Sequence, residues 1–302
     1  MHKKNAVFII LGQSNAVGHN LPMKEEDKLL VPMKNVFGLS REDNQSFEID
    51  RLTWKGYTGF GMNLAESQDH TYSVPNCLAA LWQQHIDDGN RCQLPDLYII
   101  QIAIGAQGVR EGAMWYPGRE KRLIPGKLGE VDISLFPFTM HILRLLDESF
   151  CKLRKDYEII GLHWRGGEGE VNATQSYLSE HLAGIYSEML DAFCQVLGNP
   201  PIVLHKIVCA DHVNTRDPSG EMLQRMHSIN RVFFRMEKAY PNVSIFDPTT
   251  APQFVPDIYG NGIFLPDAIH FTEEVNRWVA EQIIREYCEA AQNADRAPER
   301  TK

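Results

Sequence analysis

Three features that would assign a chain of 302 residues to a particular class are missing from this sequence. It has no basic block, since 30 lysines and arginines stand against 39 aspartates and glutamates, a formal net charge of −9 at pH 7. Nucleic acids and anionic membranes both attract clustered positive charge, so neither is expected as a partner. The sequence also lacks an apolar run of the roughly 20 residues that a bilayer-spanning helix needs.

The cysteines form no recognisable cluster. There are six, at positions 77, 92, 151, 194, 209 and 288, and no two of them make a CxxC pair. Zinc sites and small disulfide frameworks group their cysteines at short, regular spacings. We therefore predict no metal and no cofactor, and interpret the cysteines as scattered buried thiols.

The N-terminus has only a superficial likeness to a signal peptide. Its apolar stretch, 6–11, is about six residues long against the roughly 7–15 of a signal, and no small-residue cleavage site follows it. We interpret this stretch as a first strand. The expected compartment is the cytoplasm, or another if a signal has been removed.

Short apolar runs alternate with longer amphipathic segments. Five runs are predicted to be buried strands, at 6–11, 97–104, 157–164, 202–208 and 243–246. Helical periodicity covers 74–86, 138–153, 177–197, 222–239 and a last segment for which Thr272 is the predicted N-cap. This alternation predicts a mostly parallel sheet covered by helices on both faces.

No linker-like break divides the chain. We predict one domain over residues 1–291 and a polar, frayed tail at 292–302. The segments 21–61 and 105–135 lack periodicity and are predicted to be long loops.

The residues that follow the first strand can carry chemistry. Ligands of open α/β sheets bind outside the carboxyl ends of the strands, so strand ends are the segments to inspect. Gly12-Gln13-Ser14-Asn15 stands there, and a serine between flexible glycines can be exposed at the mouth of the sheet. A plain strand-to-helix turn explains this segment equally well. The pattern is neither GxGxxG nor GxSxG, which disfavours a dinucleotide site and a nucleophile elbow.

Later segments add weaker signals. Asp211-His212 follows the fourth strand and is more typical of a solvated loop than of a metal site. Asp267 and His270 share a turn before the last helix, where the carboxylate can hold the imidazole tautomer that faces a nucleophile. Taken alone, the spacing of Asp267 and His270 is weak evidence for a catalytic pair. It gains meaning with Ser14, because a serine nucleophile needs a base and the base needs an orienting group.

Together these blocks resemble the SGNH (GDSL-like) hydrolase superfamily, and more closely its sialate O-acetylesterase and acetylxylan esterase branch. The matching residues, in chain order, are Gly12-Gln13-Ser14-Asn15, Gly108, Trp164 with Gly167-Glu168, and Asp267-Ala268-Ile269-His270. The Gln-Ser-Asn block is fairly specific and the middle blocks are looser. The resemblance implies an α/β fold, a three-layer α/β/α sandwich with a mostly parallel, flavodoxin-like sheet of about five strands.

The resemblance also implies an activity, that of a serine esterase removing O-acetyl groups from a carbohydrate. Ser14 would attack the ester carbonyl, His270 would act as general base and then acid, and Asp267 would orient the imidazole. The backbone N–H groups of Ser14 and Gly108 would form part of the oxyanion hole. Substrate contacts are predicted for Gln13, Asn15, Trp115, Trp164, Arg165 and Glu168. The loop aromatics Trp54, Tyr57, Trp115 and Tyr116 are candidates for stacking on sugars, with half-buried packing as the alternative.

One position departs from the family pattern. The third block of the family reads approximately Trp-x-Gln-Gly-Glu, and its Gln side chain donates to the oxyanion, whereas Gly166 stands there in this chain. Gly166 therefore occupies an oxyanion-hole position without a side-chain donor. Arg165 or Asn172 could supply a substitute, the main chain could move inward, or activity could be reduced.

Two other functions stay open at this point. A non-catalytic carbohydrate-binding relative of the same fold would explain Gly166. A short-chain thioesterase or lipase-like member would share the triad and differ in its pocket. The sugar, the acetylated position and the oligomeric state are not determined by the sequence.

Overall fold

A computed structural model of the chain describes residues 4–24, 32–65, 71–89, 93–118, 134–208, 219–256, 262–267 and 269–296. Its centre is a seven-stranded sheet. The strands are β1 (Asn5–Gly12), β2 (Val36–Leu39), β3 (Trp54–Gly56), β4 (Leu97–Ala103), β5 (Tyr157–Arg165), β6 (Ile202–His205) and β7 (Val243–Phe246). Their spatial order is β3-β2-β4-β1-β5-β6-β7, and every neighbouring pair is parallel except β2 with β3.

The five predicted strands are confirmed as β1, β4, β5, β6 and β7. Taken by themselves they lie in the order second, first, third, fourth, fifth, which is the flavodoxin-like arrangement. Two further strands, β2 and the edge strand β3, lie in the segment 21–61, for which the prediction of a loop is wrong. Gly38 interrupts the apolar run of β2, and Lys55 and Gly56 leave β3 with a single apolar residue, so neither segment has the pattern of a buried strand.

Helices flank the sheet. They are α1 (Ser14–Val17), α2 (Arg41–Asn44), α3 (Val74–Asp87), α4 (Leu135–Arg144), α5 (Leu146–Leu153), α6 (Gln175–Glu180), α7 (Leu182–Leu197), α8 (Glu221–Ala239) and α9 (Glu273–Arg296). A 3-10 helix at Glu168–Asn172 follows β5. The hydroxyl of Thr272 accepts the N–H of Val275, so this residue caps α9 as predicted.

Three helix boundaries differ from the prediction. The segments 138–153 and 177–197 each contain two helices, which meet at Leu145 and at His181. The last helix continues to Arg296, so the predicted frayed tail is helical over its first residues. The single-domain boundary stays a prediction.

The continuous apolar run of β1 is explained by burial on both faces. Val7 and Leu11 pack into the layer that contains residues of α4, α7 and α8, whereas Phe8 and Ile10 pack against residues of α3 and α9. All four side chains are fully buried. Each such burial stabilises the fold by about 1.5–3 kcal/mol, so both helical layers hold this strand at the centre of the sheet.

The cysteines are not uniformly buried thiols, and that interpretation is wrong. Cys77 is a buried free thiol, Cys151 is exposed, Cys194 is half-buried, and Cys288 is disulfide-bonded. Positions 92 and 209 lie outside the described residues. Across the described ranges, no helix combines the length and apolar character that crossing a membrane requires.

Candidate active site

The segments that follow β1, β4 and β5 line one cavity of about 430 Å³. Its walls come from Gln13 and Ser14 after β1, from residues 104–106 after β4, and from Glu168, Gly169 and Asn172 after β5. His19, Ile269 and His270 complete it. The structure therefore brings the predicted Ser14 and His270, from opposite ends of the chain, to one cavity at the carboxyl edge of the sheet.

Ser14 is placed by a tight junction between β1 and β5. Gly12 has a φ of +143°, and a Cβ at this position would lie 2.1 Å from the carbonyl oxygen of Arg165. Only glycine fits there. The chain then turns into α1 at Ser14, so the N–H of Ser14 belongs to the first turn, where backbone donors have no partner within the helix.

His270 and Asp267 form a hydrogen-bonded pair. Nδ1 of His270 lies 2.8 Å from Oδ2 of Asp267. The other carboxylate oxygen, Oδ1, accepts the backbone N–H groups of Ile269 and His270. When Nδ1 carries the proton toward Asp267, Nε2 is the ring nitrogen that can accept one, as a general base requires.

Asn20 adds a fourth donor to Asp267, which sequence reasoning missed. Its Nδ2 donates to Oδ2 at 2.6 Å. Partial burial favours the neutral acid, but the N–H of His270, the amide of Asn20 and the imidazole outweigh it and hold the pKa of Asp267 well below its usual range. Asp267 is therefore ionised at neutral pH and can stabilise a protonated His270.

The hydrogen bond between Ser14 Oγ and the imidazole stays a prediction. Within the described ranges the polar partners of the His270 ring are on the Asp267 side, while Ser14 shares the cavity with it. Catalytic hydrogen bonds of this kind often become short only in the complex with substrate.

Asn15 joins three parts of the site. Its amide Nδ2 donates to Glu168 Oε1 at 3.0 Å and to the carbonyl of Ile269 at 3.2 Å, and its Oδ1 accepts the N–H of Phe271 at 3.1 Å. Ile269 and Phe271 flank His270, so Asn15 fixes the histidine loop against the serine turn. Because Asn15 makes these three bonds and is only 4% exposed, its role in the structure is to position the histidine loop. The predicted contact of Asn15 with substrate stays a prediction.

Arg165 lies beneath the histidine loop and is absent from the cavity lining described above. Its guanidinium stands 4.9 Å from the centre of the Phe271 ring, and Nη1 donates to Asn276 of α9 at 2.8 Å. Burial lowers the pKa of Arg165 to about 10. The predicted contact of Arg165 with substrate is wrong in this arrangement, because the side chain is buried under Phe271.

The predicted tryptophan contacts are also wrong. Trp115 and Trp164 are fully buried and pack edge to face with ring centres 5.1 Å apart. Their indole N–H groups donate to the carbonyl of Gly12 and to the hydroxyl of Tyr186. Neither ring has a face free for a sugar.

The other three candidate aromatics differ in burial and packing. Tyr57 is buried in the core, and Trp54 packs against Tyr98 and Phe150. Tyr116 is half-buried, and its role in sugar binding stays a prediction.

A buried carboxylate, Glu170, supports the segment that carries Gly108. Its Oε1 accepts the N–H of Val109, and Oε2 accepts Gln13 Nε2 at 3.4 Å. A Cβ on Gly108 would lie 1.8 Å from Oε1, so the carboxylate occupies the space that a side chain at this position would need. Burial raises the pKa of Glu170 to about 7, although the hydrogen bonds oppose the change. The only sequence signal for Glu170 was its place two residues after Glu168.

A side chain at position 166, where the family pattern has Gln, would be crowded. A Cβ there would lie 3.0 Å from the Trp164 ring and 3.3 Å from Cγ of Gln13. Gln13 is itself held, because its Oε1 accepts the N–H of Gly169 at 2.9 Å. Of the two substitutes considered for the missing donor, Asn172 lines the cavity and Arg165 does not.

His19 is a second imidazole in the cavity that the sequence analysis did not single out. Its ring centre lies 5.9 Å from that of His270. A Cβ on Gly105 would lie 2.3 Å from the His19 ring, so the glycine leaves space for it. Within the described residues, no group of three or more His, Cys, Asp or Glu side chains is arranged to hold a metal ion. Asp211 and His212 lie outside those residues.

Comparisons with known proteins identify relatives by structure. No protein-family model and no curated protein matches the chain. A solved structure of a protein from Arabidopsis thaliana aligns with a TM-score of 0.59 at 15% identity, covering 95% of this chain and 99% of that one. NanS aligns with a TM-score of 0.59 at 14% identity, covering 96% and 98%. A carbohydrate acetylesterase from Xanthomonas citri aligns with a TM-score of 0.52 at 14% identity, covering 94% of this chain and 56% of the other.

At such identities the similarity is one of fold. It extends over nearly all of this chain, and the sheet has the mostly parallel, flavodoxin-like centre that the resemblance implied. The chain therefore shares its α/β fold with these solved structures, NanS among them.

Proposed function

We propose that the protein is a serine esterase that hydrolyses O-acetyl groups of a carbohydrate through an acyl-enzyme on Ser14. The observation that supports this most is the Asp267–His270 pair, with its 2.8 Å hydrogen bond, in the cavity that Ser14 also lines. A hydroxyl, an imidazole and an orienting carboxylate are the three groups that serine hydrolysis needs.

In the acylation step Nε2 of His270 takes the proton of Ser14 while Oγ attacks the acetyl carbonyl carbon. The carbonyl oxygen becomes an oxyanion, for which the N–H groups of Ser14 and Gly108 are the donors. The imidazolium is stabilised by the ionised Asp267 and then protonates the leaving sugar oxygen as the C–O bond breaks. The products are the free sugar hydroxyl and acetyl-Ser14.

Deacylation repeats the sequence with water. His270 removes a proton from a water molecule as its oxygen attacks the acetyl carbonyl, and it returns that proton to Ser14 Oγ as the acyl bond breaks. Acetate leaves and the resting site is restored. Since the two half-reactions use the same base, His270 must be neutral at the start of each.

The carbohydrate part of the proposal is supported by two observations. The cavity is lined by polar groups of several kinds, among them Gln13, Glu168 and Asn172. The structures of similar fold include a protein described as a carbohydrate acetylesterase.

A non-catalytic carbohydrate-binding protein is the second candidate, and Gly166 is the observation that favours it. Glycine has no side-chain donor, and Trp164 and Gln13 crowd the space beside it. Loss of one oxyanion donor typically costs a factor of about 10²–10³ in rate, which weakens an esterase without abolishing it.

Labelling with a serine-directed fluorophosphonate, mapped by mass spectrometry, tests the proposal together with hydrolysis of p-nitrophenyl acetate. We expect label on Ser14 and loss of turnover by at least about 10³-fold in Ser14→Ala. Ser179→Ala, an exposed serine of α6, is the matched control and should behave as the unaltered protein. Binding of acetylated sugar without Ser14-dependent turnover would favour the second candidate, and label on another serine would overturn the site.

A further inference from the structure

A second depression of about 430 Å³ adjoins the catalytic cavity. Its walls are the loop 110–112, the turn 172–174 and Tyr177 of α6. Asn172 lines both the depression and the cavity that holds Ser14 and His270, so the two spaces meet at this residue. On the loop side, Arg110 stands two residues beyond Gly108. We call this space the Arg110–Tyr177 depression.

Hydrogen bonds hold the walls of the depression in place. The hydroxyl of Tyr177 accepts the N–H of Glu111 at 3.0 Å, which ties the loop to α6. Thr174 caps that helix, its Oγ1 accepting the N–H of Tyr177. Behind the turn, Arg225 of α8 donates to the carbonyl of Val171 at 3.2 Å. A preformed surface of this kind costs little ordering on binding.

The chemistry of the depression suits a neutral sugar. Among the described residues, the Arg110 guanidinium, the Glu111 carboxylate and the Asn172 amide have no hydrogen-bond or ion-pair partner, and all three line the depression. The guanidinium donates hydrogen bonds, the carboxylate accepts them and the amide does both, so together they can bind sugar hydroxyl groups. The half-buried Tyr177 ring adds an apolar surface for the C–H side of a sugar. Glu111 disfavours an anion such as a phosphate, because it would bring a like charge close.

We propose that the Arg110–Tyr177 depression is a second sugar subsite, which binds the unit next to the acetylated one. This proposal rests on the proposed function, since it assumes that the acetyl ester reacts at Ser14. It names the substrate class as an O-acetylated oligosaccharide of neutral sugars rather than a monosaccharide. Asn172, at the junction, lies beside the linkage between the two units.

Matched substrates test the subsite. We would measure kcat/KM for O-acetylated xylobiose and cellobiose, for the corresponding O-acetylated monosaccharides, and for p-nitrophenyl acetate. The disaccharides should exceed the monosaccharides by about tenfold or more, the equivalent of 1.4 kcal/mol. In Arg110→Ala and in Tyr177→Ala, the ratio of kcat/KM for disaccharide to that for p-nitrophenyl acetate should fall by a similar factor. Arg235→Ala, an exposed arginine of α8, is the matched control and should keep the ratio.

A binding measurement separates the two proposals. Calorimetric titration of Ser14→Ala with xylobiose and cellobiose measures their binding affinity in the absence of turnover. Adding Arg110→Ala to this variant should weaken that binding about tenfold. If p-nitrophenyl acetate shows no Ser14-dependent turnover but this binding loss is seen, the esterase proposal fails and the subsite stands. Equal rates for disaccharide and monosaccharide, or an unchanged ratio and unchanged binding in both variants, would overturn the subsite while leaving the esterase untouched.

Discussion

Asn15 offers the sharpest test of how the site is held together. It makes three hydrogen bonds, to Glu168 Oε1, to the carbonyl of Ile269 and from the N–H of Phe271. Replacing it with alanine removes all three, and the buried N–H of Phe271 loses its acceptor. At about 0.5–1.5 kcal/mol for each bond, we expect the free energy of unfolding to fall by about 2–4 kcal/mol. Turnover should fall as well, because the loop that carries His270 loses its attachment to the serine turn.

Asn15→Asp separates charge from shape. The aspartate keeps an oxygen for Phe271 but places a carboxylate about 3 Å from Glu168 Oε1, where two ionised groups repel each other by about 4 kcal/mol or more at an effective dielectric constant of 20. One of the pair then has its pKa raised in the folded protein. A raised folded-state pKa gives stability that is present at low pH and is lost as pH rises through it. The variant should therefore approach the unaltered protein near pH 4–5 and be less stable than Asn15→Ala at pH 8.

Urea unfolding of the three proteins at pH 5 and pH 8 measures this, and p-nitrophenyl acetate hydrolysis gives the effect on turnover. Asn15→Gln is a useful companion, since it keeps the amide and changes only its reach. A difference between Asn15→Asp and Asn15→Ala that does not change between the two pH values would refute the electrostatic argument. A loss below about 0.5 kcal/mol in Asn15→Ala would refute the positioning role itself.

Three further predictions concern the other supports of the site. Gly108→Ala should lower kcat and reduce the free energy of unfolding by about 1–3 kcal/mol, because its Cβ would clash with Glu170. Gly184→Ala, which places a Cβ in open space on α7, should be neutral or stabilising. Thermal unfolding and steady-state kinetics measure both variants. Asp267→Asn should reduce kcat by about 10²–10⁴-fold. Because the pKa of Asp267 is depressed, the unaltered protein should also lose stability more steeply than the variant as pH falls below about 4, as acid unfolding curves would show. Burial raises the pKa of Glu170 to about 7, so the unaltered protein should lose stability as pH rises from 5 to 8 and the carboxyl ionises in its buried site. Glu170→Gln cannot ionise and should therefore become more stable relative to the unaltered protein over that range. Equal pH dependence of the two proteins in urea titrations would contradict this.

The parts of the fold that the sequence predicts are those with a strong local signal. The five apolar runs become strands, with β1 and β4 buried almost throughout and the edge strand β7 fully buried only at Val243. Ser14 and His270 are found because their motifs stand at a strand end and before a helix. The strands β2 and β3 are missed because their glycines and Lys55 break the apolar pattern. Local pattern is sufficient where burial is continuous along the segment.

The supports of the site depend on contacts that no local pattern records. Asn15 meets its partners far along the chain, and Gly108 is a glycine because the distant Glu170 occupies its side-chain space. The tryptophans near the strand ends fail as sugar contacts for a related reason. Their position in the sequence marks the mouth of the sheet, but Trp115 and Trp164 turn inward and satisfy their N–H groups within the core.

The central place of β1 has a consequence for biosynthesis. The strand that leads to Ser14 is synthesised before β4 and β5, which lie on its two sides in the sheet, and His270 follows only in the loop before α9. A chain cut short before that loop holds Ser14 without the histidine that we propose as its base. Under the proposed function, activity therefore requires that synthesis has passed α9 and that this helix has packed against the rest of the domain.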